Sequence, residues 1–130
     1  MLPNERGTPK GMVMDAYRLY FVTTGRFKDG SSIEDATTWW REKGGPDLVS
    51  EPWTKSLRVF ATQFRLGGEH DLEVWQEIEN YAVLDAMDEW YAADPVRTKA
   101  NADLWRESPT YFEWGASRLM GDWPESSLMD

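Results

Sequence analysis

Between residues 72 and 94 the chain changes its hydrophobic period. LEVWQEIEN (72–80) alternates apolar and polar positions, the period-two pattern of a half-buried strand. Residues 81–93 then bring Leu84, Met87, Trp90 and Tyr91 onto adjoining faces at helical spacing and stop at Asp94-Pro95. The same reading applies elsewhere. VMDAYRLYFVT (13–23) is rich in β-branched and aromatic residues and predicts a strand, with a turn over 25–30. Ser31 or Ser32 can cap a helix carrying Glu34 and Asp35 in its first turn, where the helix dipole favours acids. Ile33, Ala36, Thr37 and Trp40 recur at helical spacing, and Gly44-Gly45-Pro46 is expected to end that helix. SLRVFATQFRL (56–66) predicts a second strand, GGEHD (67–71) a hairpin loop, VRTKANADLWRE (96–107) a further helical segment and TYFEWGASRLM (110–120) the last strand.

The order is β-α-β-β-α-β, the split βαβ pattern of ferredoxin-like domains. It predicts an α+β fold: a four-stranded antiparallel sheet with helices on one face. Residues 1–12 read as a flexible arm, 13–121 as the domain and 122–130 as a polar tail anchored by Trp123. A hairpin turning through GGEHD sets Phe60 near Ile78, Thr62 near Gln76 and Phe64 near Val74. Its other face sets Val59 beside Glu79, Ala61 beside Glu77 and Gln63 beside Trp75. Neither face is purely polar, whereas a two-layer domain usually keeps one wet face. An isologous homodimer, sheet against sheet, is the economical cover.

Composition narrows the function classes. The chain has 130 residues, 41% of them apolar and eight of them Trp, so it is expected to fold as one domain. A net charge of −9 argues against nucleic acid and anionic membrane as partners, because phosphate binding rests on Lys and Arg patches. The absence of cysteine excludes disulfides, Cys-zinc sites and thiol nucleophiles. No apolar run reaches the ~18 residues of a membrane span, and the N-terminal stretch has no apolar core of a signal peptide, so the cytoplasm is the expected location. No Walker-type loop, GxGxxG or GxSxG motif occurs.

The element order, with EIENYAVLDAM (77–87) followed by AADP (92–95), resembles the dimeric α/β-barrel proteins, which include the antibiotic-biosynthesis monooxygenase-like and NIPSNAP-like domains. The resemblance spans roughly residues 13–121. It implies a pocket between helices and sheet, used by relatives for cofactor-free oxygenation, isomerisation, cyclisation, lyase chemistry or binding alone. Many monooxygenase-like members carry a histidine on the second helix, and haem-degrading relatives use it as a ligand. Met87 occupies that position here, which speaks against haem.

Three sets of residues could carry chemistry. His70 is the lone histidine, suited by type to acid–base work but placed in a loop. Glu77 and Glu79 share one strand face, and Glu113 lies on the last strand. Buried beside apolar groups, such carboxylates can act as acid or base; paired with Arg18, Arg58, Arg65 or Arg118 they are structural. Tyr20 could hold an oxyanion, as could Arg58 or Arg118. Tyr17, Phe21, Trp40, Met87, Trp90, Tyr91 and Trp114, with Trp39, Tyr111 and Phe112, could bracket one cavity for a flat aromatic substrate, or fill a core. The leading expectation is an isomerase, lyase or cyclase using no metal and no organic cofactor on a small apolar, aromatic substrate. A cofactor-independent monooxygenase and a non-catalytic ligand-binding or assembly protein are the alternatives.

Overall fold

A computed structural model describes residues 18–63 and 70–122. Tyr17, Phe64, Arg65 and Trp123 therefore lie outside the described residues. Strand β1 (Leu19–Phe27) is followed by helix α1 (Ile33–Trp39), which runs through a π-helical segment (Trp40–Gly44) into the short helix α2 (Gly45–Val49). Strands β2 (Thr54–Ala61) and β3 (Leu72–Ile78) come next, then helices α3 (Val83–Ala92) and α4 (Pro95–Arg106), a 3-10 turn (Ser108–Thr110) and strand β4 (Phe112–Gly121). All pairings are antiparallel and the strand order is β2-β3-β1-β4, the ferredoxin-like arrangement.

Strand β3 shows why the helices cover only one face. Leu72, Val74, Gln76 and Ile78 are buried and alternate with half-buried Glu73, Trp75 and Glu77. The helix-covered face continues through Leu19, Phe21, Thr23 and Gly25 of β1 by direct cross-strand pairing. On β4 the parity must switch, and a bulge switches it. Thr23 pairs with Ser117 and Gly25 with Trp114, so β4 carries one extra residue there. Phe112 and Trp114 before the bulge, and Leu119 after it, can thus all face the helices. Gly25 is needed at this crossing, since a Cβ on it would lie 2.7 Å from Trp114 Cε3.

The apolar interior forms two separate clusters. One joins Ala36, Trp39, Leu72 and Phe112, flanked by Phe27, Trp40, Trp105 and Trp114. The other joins Trp53, Ile78 and Val83, flanked by Phe21, Met87, Trp90 and Tyr91. The expected single aromatic cavity is thereby divided. Trp39 and Trp40 sit at one end of the helix layer, and Trp90 and Tyr91 pack on Trp53 at the other.

Four local expectations are corrected. The turn after β1 begins at Lys28 and centres on Gly30, whose φ of +82° only glycine adopts easily; Gly25 belongs to the strand. Gly44-Gly45-Pro46 does not end the first helix. Gly44 and Gly45 keep right-handed helical φ/ψ, and Pro46 falls in the first turn of α2 directly after the π-helical segment, so the chain stays helical through all three. Phe60 pairs with Glu73 and Val59 with Val74, five residues from the expected register, because β2 ends at Ala61 rather than at Leu66. An odd shift exchanges the two faces of a strand. Finally, Glu79 lies beyond the end of β3 and is exposed.

Candidate functional site

The first helix builds one wall. Ser32 Oγ accepts from Asp35 N at 3.2 Å, capping α1. Ala36 and Trp39 then point at the sheet. Trp40, adjacent to Trp39 in sequence and the first residue of the π-helical segment, is half-buried and packs against the same core cluster. Gly44 lets the indoles fold back along the helix, since a Cβ there would sit 2.7 Å from Trp39 Cζ3 and 3.0 Å from Trp40 Cε3.

Between this wall and the sheet lies a cavity of about 280 Å³. Its floor is Phe21, Thr23, Val74 and Gln76 from β1 and β3. Its walls are Trp40, Leu48, Trp105 and Trp114. A second cavity of about 210 Å³ shares Trp40, Val74 and Trp114 and extends towards Val59 of β2.

The polar end of the pocket is a buried hydrogen-bond network that sequence reasoning missed. Asp47, Glu51 and Gln76 are only 6%, 8% and 7% exposed. Gln76 Nε2 donates to Glu51 Oε1 at 2.9 Å and to Thr54 Oγ1 at 2.7 Å. Thr54 Oγ1 donates in turn to Leu48 O at 2.8 Å. The Tyr91 hydroxyl closes a short hydrogen bond on Glu51 Oε2. Asp47 accepts from Arg97 Nη1 at 2.7 Å, from Asn101 Nδ2 at 2.8 Å and from Trp105 Nε1 at 2.8 Å.

The electrostatics reflect this packing. Burial pushes the Glu51 carboxyl above its ordinary value, against the opposing hydrogen bonds from Tyr91 and Gln76. Burial, reinforced by Glu51, likewise pushes the Tyr91 phenol well above its usual range. The bond to Asp47 raises Arg97, which stays a cation. Proline spacing and Asp94 capping place α4 correctly for these contacts, with Asp94 Oδ1 accepting from Arg97 N at 3.0 Å. The signal in the sequence was the polar run GPDLVSEPWT (45–54), which reads only as a helix stop and a connector.

The expected catalytic residues lie elsewhere. Glu77, Tyr20, Arg58 and Arg118 are on the open face of the sheet, away from the helices, as is Glu113. Glu77 accepts from Ser56 Oγ at 2.8 Å and sits 3.8 Å from Lys55 Nζ, and Glu113 sits 3.7 Å from Lys28 Nζ. Tyr20 packs edge-on against Trp75 at 5.2 Å, and Arg58 lies over the Phe60 ring at 5.2 Å. His70 Nε2 is 2.9 Å from Glu73 Oε2; the Trp75 indole donates to Glu73 Oε1 at 2.9 Å, and Arg118 Nη2 stands 3.7 Å from Glu73 Oε2. The Trp75 indole, ahead of His70, holds the Glu73 carboxyl below its ordinary value. Of the expected binding residues, Phe21, Trp40 and Trp114 meet in the pocket, while Met87, Trp90 and Tyr91 pack around Trp53. Tyr91 joins the pocket's polar wall through Glu51 and through Asn101, whose Nδ2 lies 3.4 Å from the hydroxyl.

Among the described residues, no three or more His, Cys, Asp or Glu side chains are grouped as metal ligands, and no helix is long and apolar enough to cross a membrane. No family model matches the chain, and no curated protein matches it. Among solved structures, a dimeric protein of unknown function and ferredoxin-like fold from Bacteroides fragilis NCTC 9343 is similar, with 12% identity and a TM-score of 0.43 over 82% of this chain and 94% of that one. A dimeric ferredoxin-like protein of unknown function from Thermobifida fusca YX is similar with 14% identity and a TM-score of 0.47 over 82% of this chain and 90% of that one. At such identities the likeness is one of fold, and the ferredoxin-like topology of this chain rests on its own strand order.

Proposed function

We propose that this protein binds a small, flat, largely apolar molecule in the pocket between its helix layer and its sheet. One observation carries the reading: Trp40, Trp105 and Trp114 line a cleft of about 280 Å³ whose polar side chains are Gln76 and Thr23. An apolar cavity of about 150 Å³ holds benzene, so this one suits a substituted ring or two fused rings. Rigid aromatic walls with few convergent polar groups are the usual make-up of such sites. The described lining side chains include no carboxylate, histidine, tyrosine or base, which favours binding over acid–base turnover here. Calorimetric titration with naphthalene tests it. Wild-type protein takes up one equivalent, and Leu48→Trp, which fills the space, takes up none. Equal binding by both proteins would refute the reading.

A second reading rests on the open face. Trp75, Tyr20 and Phe60 cluster there, Phe60 is 45% exposed, and Arg58 has no acidic partner among the described residues. A second copy of this chain, sheet against sheet, would bury these rings and bring the His70–Glu73 pair into the interface. Any isomerase or lyase chemistry would then draw on His70 as the proton carrier, with Glu73 orienting it. Sedimentation of wild type and Trp75→Asp is the test. A dimer that the substitution converts to a folded monomer supports this reading, and a wild-type monomer overturns it.

A further inference from the structure

The hydrogen-bond network behind Gln76 decides which polar group the pocket shows its ligand. Both hydrogens of the Gln76 amide are committed, one to Glu51 Oε1 and one to Thr54 Oγ1. Neither neighbour leaves the amide free to turn over. Glu51 also takes the Tyr91 hydroxyl and acts as an acceptor on both oxygens. Thr54 spends its own hydrogen on the carbonyl of Leu48 at 2.8 Å, so only its lone pairs face Gln76. Turning the amide would set its oxygen against two acceptors and lose both bonds. With both N–H groups spent, the carbonyl oxygen is the hydrogen-bonding group of the Gln76 amide that remains to be offered, and Gln76 lines the cavity.

We infer that the ligand of this pocket is a neutral aromatic molecule bearing an O–H or N–H donor, a phenol or an N–H heterocycle, recognised by Gln76 Oε1. The inference rests on the binding function proposed above and adds its chemical class. Carboxylates and phosphates are disfavoured by the same geometry. No lining side chain is cationic, the lining hydroxyl of Thr23 is engaged with Ser117 Oγ at 3.0 Å, and the acid Glu51 stands behind Gln76. A pocket that presents an acceptor discriminates well, because a ligand without the donor leaves a buried carbonyl unpaired.

The test compares 2-naphthol, 2-methoxynaphthalene, 2-naphthoate and naphthalene by calorimetry on the full chain. The naphthol is expected to bind about tenfold more tightly than the ether, the equivalent of about one buried hydrogen bond, and the naphthoate to bind more weakly than naphthalene. In Gln76→Leu the naphthol and the ether become equal. Equal affinities for naphthol and ether in the wild-type protein would overturn the donor requirement while leaving the pocket standing. Tightest binding of naphthoate would overturn it as well. Failure of all four compounds would instead remove the pocket reading on which the inference rests. The wild-type comparison decides the matter even if the variant does not fold.

Discussion

Asp47→Ala is the most informative single change to the fold. Helix α4 buries no residue completely, yet it carries Trp105, a wall of the pocket. Its attachment therefore depends on half-buried contacts and on the Asp47 carboxylate, which accepts at 2.7–2.8 Å from Arg97, Asn101 and Trp105. A hydrogen bond to a charged group contributes about 1.5–3 kcal/mol. The three do not simply add, because they share one acceptor. Removing one member of a buried ion pair costs about 3–5 kcal/mol, since the remaining charge loses its partner. The Arg97 side chain keeps 24% of its exposure and also donates to Ser50 Oγ, which places this site at the lower end. We expect a loss of about 3 kcal/mol, a large part of the ~5–15 kcal/mol of an ordinary domain. Urea denaturation followed by far-ultraviolet circular dichroism reads the total. Amide hydrogen exchange along α4 reads its location, with protection falling first in that helix. Asp47→Asn, which keeps a neutral acceptor, should lose roughly half as much. A loss below about 1 kcal/mol, the range of a surface pair, with α4 protection unchanged, would refute the claim that this carboxylate fastens the helix.

Particular contacts elsewhere lead to three more predictions. Because burial raises Glu51, its contribution to stability is complete below the ordinary 4.5 and fades as pH rises through the raised value. The stability of wild type relative to Glu51→Gln should therefore increase as pH falls from above the raised value towards the ordinary 4.5; the lowered acids Glu73, Asp103, Glu107 and Asp122 work in the opposite sense but are common to both proteins and cancel in the difference. Gly44→Ala should destabilise by about 1–3 kcal/mol in thermal melts, despite alanine's helix preference of about 1 kcal/mol, because its Cβ would lie 2.7 Å from Trp39 Cζ3. Gly25→Ala drives a methyl to 2.7 Å from Trp114 Cε3; displacement of that wall should weaken naphthalene binding severalfold, read by calorimetry.

The periodic parts of the sequence carried the fold. Alternation along β3 was legible because one face is buried, and in the helix after it Met87, Trp90 and Tyr91 pack inward as expected, with Val83 rather than the exposed Leu84 beside them. Three features broke the periodicity. The bulge in β4 changes parity within the strand, so no simple alternation could say which way Glu113 or Trp114 points. The hairpin register depended on where β2 ends, and a five-residue displacement moved Phe60 and Val59 to the opposite faces from those expected. The π-helical turn carried the first helix through two glycines and a proline that read as a stop. The pocket's apolar members Phe21, Trp40 and Trp114 were visible as large aromatics on the right elements. Its polar wall was not, because Asp47 and Glu51, Gln76, and Tyr91 come from three separate segments and only tertiary packing assembles them. The strand glutamates drew attention by their type, and a strand places successive side chains on opposite faces, so Glu77 is held away from Gln76 by one residue.

On the proposed reading a ligand enters between helices and sheet at the tryptophan-walled pocket. The indole N–H resonances of the protein, followed by two-dimensional NMR during titration with 2-naphthol, test it most directly. The signals of Trp40, Trp105 and Trp114 are expected to shift and saturate together, while those of Trp53, Trp75 and Trp90 stay in place. Movement of Trp75 alone, on the opposite side of the sheet, would contradict it.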